Sequence, residues 1–171
     1  MIIQDPNNYW EQLERLEKLI RASEMKAGVI FSFHSLILGL FVDRLDYLKP
    51  YLVENTLLLV FTGFWLVSVL LSVYFCFKCF IPRMELKYDD NVFFFMDAVR
   101  AFGNSEEFTK KLIEVCANEE ELFYQLGQQI HVESKIIEEK FKSVKKSLKC
   151  FALSFVFVSL SLIVWLFQML S

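Results

Sequence analysis

The chain has 171 residues, enough for one domain by length, and its 55% hydrophobic content lies above the ~45–50% usual for soluble domains. Mean hydropathy is +0.39. Net charge is only −3, which is uninformative as a global value; the distribution of charge along the chain matters more. The apolar excess sits in blocks that are nearly free of charge, and four cysteines near those blocks do not suggest a disulfide framework. The expected fold class is therefore an all-α membrane protein, with residues 1–171 as a single domain.

Residues 7–26 read as an amphipathic helix. Leu13, Leu16 and Leu19/Ile20 recur at spacings of three to four, while Glu11, Glu14, Arg15, Glu17, Lys18 and Arg21 fill the other face. Pro6 precedes it, with Asn7 or Asn8 as the expected cap. No removable signal peptide is expected, because the first apolar run follows about 25 mostly polar residues and no small-residue cleavage site closes it. That run, residues 27–42, is the first span. It is short against the ~20 residues of a full crossing, and the helix before it makes up the difference. His34 lies within it and is either a packed neutral histidine or a functional group at membrane depth. Gly28, Ser32, Ser35 and Gly39 form a small-residue stripe that implies close helix partners.

Residues 43–56, with Pro50, read as a short polar connection. The second span is 57–80, closed by Pro82. Its Cys76-Phe77-Lys78-Cys79 has CxxC spacing but neither the βαβ context of a redox motif nor the second ligand pair of a zinc site. Residues 83–149 form a polar helical region. Asn91–Phe102 is a short helix candidate, Asn104 or Ser105 caps a helix over 105–117, and Asn118 with Glu121 has the capping-box pattern. From there no proline interrupts the chain, which predicts one helix from 119 to 170 running into the third span, 150–170. Leu122, Leu126, Ile130, Ile137, Phe141, Val144 and Leu148 form its apolar seam.

Lys and Arg number four in residues 1–26, two in 43–56 and eleven in 83–149. The positive-inside rule then predicts a multi-pass protein of the cell membrane with a cytoplasmic N-terminus, a cytoplasmic 83–149 region and Ser171 outside. Lys135, Lys140, Lys145 and Lys146 cluster just below the third span, and Lys26 and Arg83 can join them. The cluster serves either anchoring on anionic lipid or binding of a phosphate-bearing ligand. In the third span Ser154, Ser161 and Gln168 are each seven apart and share a face, as a packing seam or as a pore lining. No catalytic set, metal-ligand set or cofactor motif is expected. The small-residue stripe and the seam together exceed what three crossings of one chain bury, which predicts a homo-oligomer, with a tetramer as the expected number.

Several stretches, taken in order, resemble the membrane effectors of bacterial Pycsar antiphage systems. They are Glu24-Met25-Lys26-Ala27-Gly28 entering the first span, Pro82 closing the second, and Asn91-Val92-Phe93-Phe94-Phe95. Then follow Gln128-Gln129-Ile130, Ser134-Lys135-Ile136 and Lys140, leading into the last span. The resemblance implies a suicide effector of the bacterial inner membrane, triggered by a nucleotide signal from a partner cyclase. The sequence departs from one common arrangement in showing no strand alternation for an attached cyclic-nucleotide-binding β-barrel. A Hailong-type system, in which a nucleotidyltransferase makes a controlling oligonucleotide, stands as the alternative source of the signal. A non-catalytic membrane scaffold is the competing functional class.

Overall fold

The computed structural model describes residues 5–81 and 90–170, so Pro82 and Arg83 lie outside the described residues. Every regular element described is helical. Helix α1 (Pro6–Asp43) unites the amphipathic segment and the first span in 38 residues. It starts one residue earlier than expected, because Asp5 rather than an asparagine accepts the Asn7 N–H, at 3.0 Å. Pro6 suits the first helical position, where its missing N–H leaves no bond unmade.

The 43–56 connection is not irregular. Helix α2 (Leu45–Glu54) runs through Pro50. The proline removes only the bond that residue 50 would donate to Asp46, and a face carrying Tyr47, Leu48, Tyr51 and Leu52 holds the turn together. Asn55 then caps α3 (Thr56–Phe80), its side chain accepting from Leu57 and Leu58. In the 83–149 region, α4 is confined to Phe95–Arg100, shorter than the expected 91–102. The reason is that Asn91 folds into an Asx turn, accepting the Phe93 N–H at 2.9 Å. Gly103, at φ +69, then turns the chain into α5 (Ser105–Ala117), capped by Asn104. Asn118 accepts the N–H groups of Glu120 and Glu121 and opens α6 (Glu119–Leu170). At 1.5 Å per residue its 52 residues extend roughly 78 Å without a break.

Two compact units share these helices. One comprises Met1–Arg21 with Arg83–Glu138, the other Ala22–Pro82 with Glu139–Ser171. In the first unit, Tyr9 packs on Phe123 and Trp10 meets Phe93 edge to face. In the second, the three helices long and apolar enough to cross a membrane (α1, α3 and α6) pack together. Their buried cluster is Ala27, Ile30, Cys76, Cys79 and Val144.

Candidate functional site

The buried face of α3 is set by small and weakly polar residues. Thr62, Ser68, Ser72, Cys76 and Cys79 recur at short helical intervals, so the stripe stays on one side of the helix. Opposite it, α6 presents Ser143 and Ser147. The two backbones approach closely enough for reciprocal bonds. Ser72 Oγ donates to the Ser147 carbonyl at 2.9 Å, and Ser147 Oγ to the Ser72 carbonyl at 3.0 Å. Cys76 Sγ lies 3.0 Å from Ser147 Oγ. The CxxC pair therefore serves packing, with both thiols free and buried.

One turn before Ser143, Lys140 is only 3% exposed. Its ammonium donates to Glu24 Oε1 at 2.7 Å and to the Cys79 carbonyl at 2.8 Å. That carbonyl belongs to the last turn of α3, where no intrahelical donor remains and a cation is favoured by the helix dipole. Lys140 thus ties α1, the end of α3 and α6 in a single knot.

The other basic residues have different surroundings. Lys26, Lys145 and Lys146 are exposed. Lys26 Nζ lies 5.9 Å from the Phe141 ring centroid, and Lys146 Nζ 5.5 Å from that of Phe75. Lys135 is exposed on the part of α6 that belongs to the other unit. The arrangement brings Lys26 and Lys140 to the same unit and to a common neighbourhood around Glu24 and Phe141.

The heptad-spaced stripe of the last span faces inward. Ser154 is buried, and Ser161 and Gln168 are half-buried. Ser154 and Ser161 return their hydroxyl protons to the Phe151 and Phe157 carbonyls of their own helix. Gln168 meets the Asn55 side chain at 3.5 Å. Nearby, His34 is 1% exposed and stands edge to face with Phe151 at 5.1 Å, and both its ring nitrogens are buried without a hydrogen-bond partner. Trp165 Nε1 is likewise buried and unpartnered.

Two sets of surface residues are left uncovered within the chain. Ser32, Ser35 and Gly39 are exposed. On the α6 seam, Leu126, Ile137 and Val144 are buried, while Phe141 and Leu148 are exposed.

The first unit contains a polar network that sequence spacing did not reveal. Asn91 donates through Nδ2 to the Gln125 carbonyl at 2.8 Å, and Gln125 Oε1 accepts the Val92 N–H at 3.0 Å. Gln125 also donates to Glu121 at 2.7 Å. One turn on, Gln129 donates to Glu133 at 3.1 Å. Burial pushes the Glu133 carboxyl above its ordinary value, Gln129 opposes the shift, and the charge of Glu17 adds to it. Asn91 and Gln125 are 34 residues apart, so no local pattern announces their bond. The caps at Asn104 and Asn118, in contrast, have a local signature.

Comparison with known proteins decides the family. The Pycsar effector protein domain, PycTM, matches residues 8–167. The chain belongs to this family. It is an antiphage defence effector with membrane-spanning helices, and its family is one of membrane effectors rather than a known enzyme family. The Pycsar context implies a cyclic nucleotide signal made by a partner cyclase. No curated protein and no solved structure matches the chain.

Proposed function

We propose that this Pycsar effector disrupts the bacterial inner membrane as a homo-oligomeric ion channel under nucleotide control. The observation that carries the reading is a pair of buried polar atoms without partners inside the membrane-spanning unit, the two ring nitrogens of His34. Such groups are costly in hydrocarbon, and an aqueous path would satisfy them. The path runs beside Ser154, Ser161 and Gln168, with apolar neighbours such as Val158 and Trp165 gating it by dewetting. The uncovered stripe on α1, together with Phe141 and Leu148 on α6, supports assembly, with a tetramer as the expected number.

The positive-inside bias supports a cytoplasmic N-terminus and a cytoplasmic 83–149 region. The exposed Lys26, Lys145 and Lys146 supply charge for the phosphate of the signal; of the other sequence candidates, Lys135 belongs to the other unit and Arg83 lies outside the described residues. Lys140, being engaged by Glu24, is suited to respond to a ligand by changing partner. Planar-bilayer conductance tests the channel. Ser161→Leu combined with Gln168→Leu should reduce current, and Phe155→Leu on the exposed face should not. Unchanged current in the double variant makes the stripe a packing seam. Uncontrolled expression should depolarise cells and stop growth; inert cells would instead support a scaffold. Removing Lys145 and Lys146 should weaken signal control and its salt dependence while leaving membrane insertion intact.

A further inference from the structure

Within the membrane-spanning unit, a cavity of about 530 Å³ lies between the end of α1, helix α2, the start of α3 and the end of α6. The Lys140 knot involves the opposite ends of α3 and of the α6 span, so the cavity belongs to the other membrane face. Its volume falls in the ~300–1,000 Å³ range of small-molecule sites. The wall is overwhelmingly apolar, with Phe41, Leu58, Trp65, Leu162 and Trp165 among its residues. Three features break that character. Thr62 and Ser161 contribute hydroxyls, Trp165 Nε1 is a buried donor without a partner, and Arg44 stands in the lining at the α1–α2 turn.

We propose that this cavity is a binding site for the acyl tail of an anionic phospholipid, whose phosphate sits on Arg44. Hydrocarbon is the solvent around these helices, and an apolar cavity of this size attracts hydrocarbon rather than water. Arg44 sits at the junction of α1 and α2, where the crossing ends, and Tyr47 and Tyr51 beside it are residues favoured at the lipid–water interface. Arg44 pairs with Asp43 at 3.3 Å, and their side chains are 75% and 69% exposed. An exposed pair of this kind is weak, and a guanidinium with five donors can hold a phosphate beside it. The tail lies along Leu58, Trp65 and Leu162, and an ester carbonyl of the same lipid can accept from the Trp165 indole. The site stands without the channel reading; on that reading, a bound tail occupies the dry, closed form of the path beside Val158, Ser161 and Trp165.

Tryptophan quenching by bromine-labelled lipid tests it. With Trp10→Phe and Trp165→Phe, only Trp65 emits. Trp65 is 4% exposed, so bulk lipid does not reach it. In nanodiscs of zwitterionic lipid, added phosphatidylglycerol with brominated tails should quench Trp65. Half-quenching should need about fivefold less of it than of brominated phosphatidylcholine, the preference one basic residue gives at a lipid surface. Arg44→Gln should erase that preference, and Thr62→Leu with Ser161→Phe, which fill the cavity, should abolish quenching. Phe64→Trp, with Trp65→Phe, places an emitter on the exposed face and reports that brominated lipid surrounds the protein. If that emitter is quenched while Trp65 is not, no tail enters, whether because a second copy fills the cavity or because it closes, and the proposal falls. Quenching that survives the filling variant, or a preference that survives Arg44→Gln, overturns it equally.

Discussion

Removing Glu24 should damage the protein more than removing Lys140. Glu24→Ala leaves an ammonium that is 3% exposed without its counter-ion, and stranding a buried charge costs about 3–5 kcal/mol. Lys140→Met strands only the Cys79 carbonyl, at about 1–3 kcal/mol, because the Glu24 side chain is 39% exposed and keeps water. Unfolding midpoints in mixed detergent measure both; the reverse order would mean that Lys140 reaches water by another route. Glu133 behaves differently. Its folded carboxyl holds its proton more tightly than an ordinary one of pKa 4.5, so the native state binds more protons than the unfolded chain. Its contribution is fully present below 4.5 and is lost as pH rises through the raised value. Glu133→Gln should therefore raise stability at neutral pH, and the gain should vanish near pH 4, as read from denaturation midpoints across that window.

The helices differ in how much of each is legible in the sequence. Spacing and caps locate α5 and the start of α6, because Asn104 and Asn118 act on N–H groups two and three residues away. The absence of proline sets the length of α6. Helix α2 escapes because Pro50 reads as a breaker, although Leu45, Leu48 and Leu52 have helical spacing. The Lys140 knot escapes because its partners are 116 and 61 residues away. A lysine in a basic run looks like its neighbours until the fold buries it, and so Lys140 reads as one of a ligand-binding set. Continuity of α6 has its own test. Replacing the exposed Lys145 and Lys146 with glycine should cost roughly 1 kcal/mol of helix stability per position. Alanine at both positions removes the same charge but keeps the helix. On the proposed channel reading, an equal conductance response to signal in the two variants would mean that α6 does not carry the signal along its length.

At the scale of the whole molecule, most of the last span meets something other than its own chain. Only 6% of its apolar window is buried within the protein, against 28% for α3. Lipid covers such a surface as well as protein does, so the proposed assembly draws on close backbone approach and hydrogen bonds more than on apolar area. The exposed Ser32, Ser35 and Gly39 offer that approach. Gly39, with no atom near the position a Cβ would take, can accept a side chain without disturbing its own fold. Ser35→Leu with Gly39→Leu should therefore leave the monomer folded and lower the native mass in mild detergent. An unchanged oligomeric mass would move the proposed contact to Phe141 and Leu148 on α6, and a monomer mass before substitution would sink the homo-oligomer reading.

The paired serines of α3 and α6 act as a latch that fixes the register of the two helices. A one-turn slide of α6 towards its C-terminal end, about 6 Å for four residues, would bring Ser143 to the place of Ser147 opposite Ser72. The same slide would carry Lys140 into the place of Val144 in the buried apolar cluster, and Glu139 into the buried place of Ser143. The opposite slide would drive Phe151 into a contact where two hydroxyls are 3.1 Å apart. Both directions are opposed, so the latch holds one register. Cysteines can record it: Ser72→Cys should cross-link to Ser147→Cys and not to Ser143→Cys.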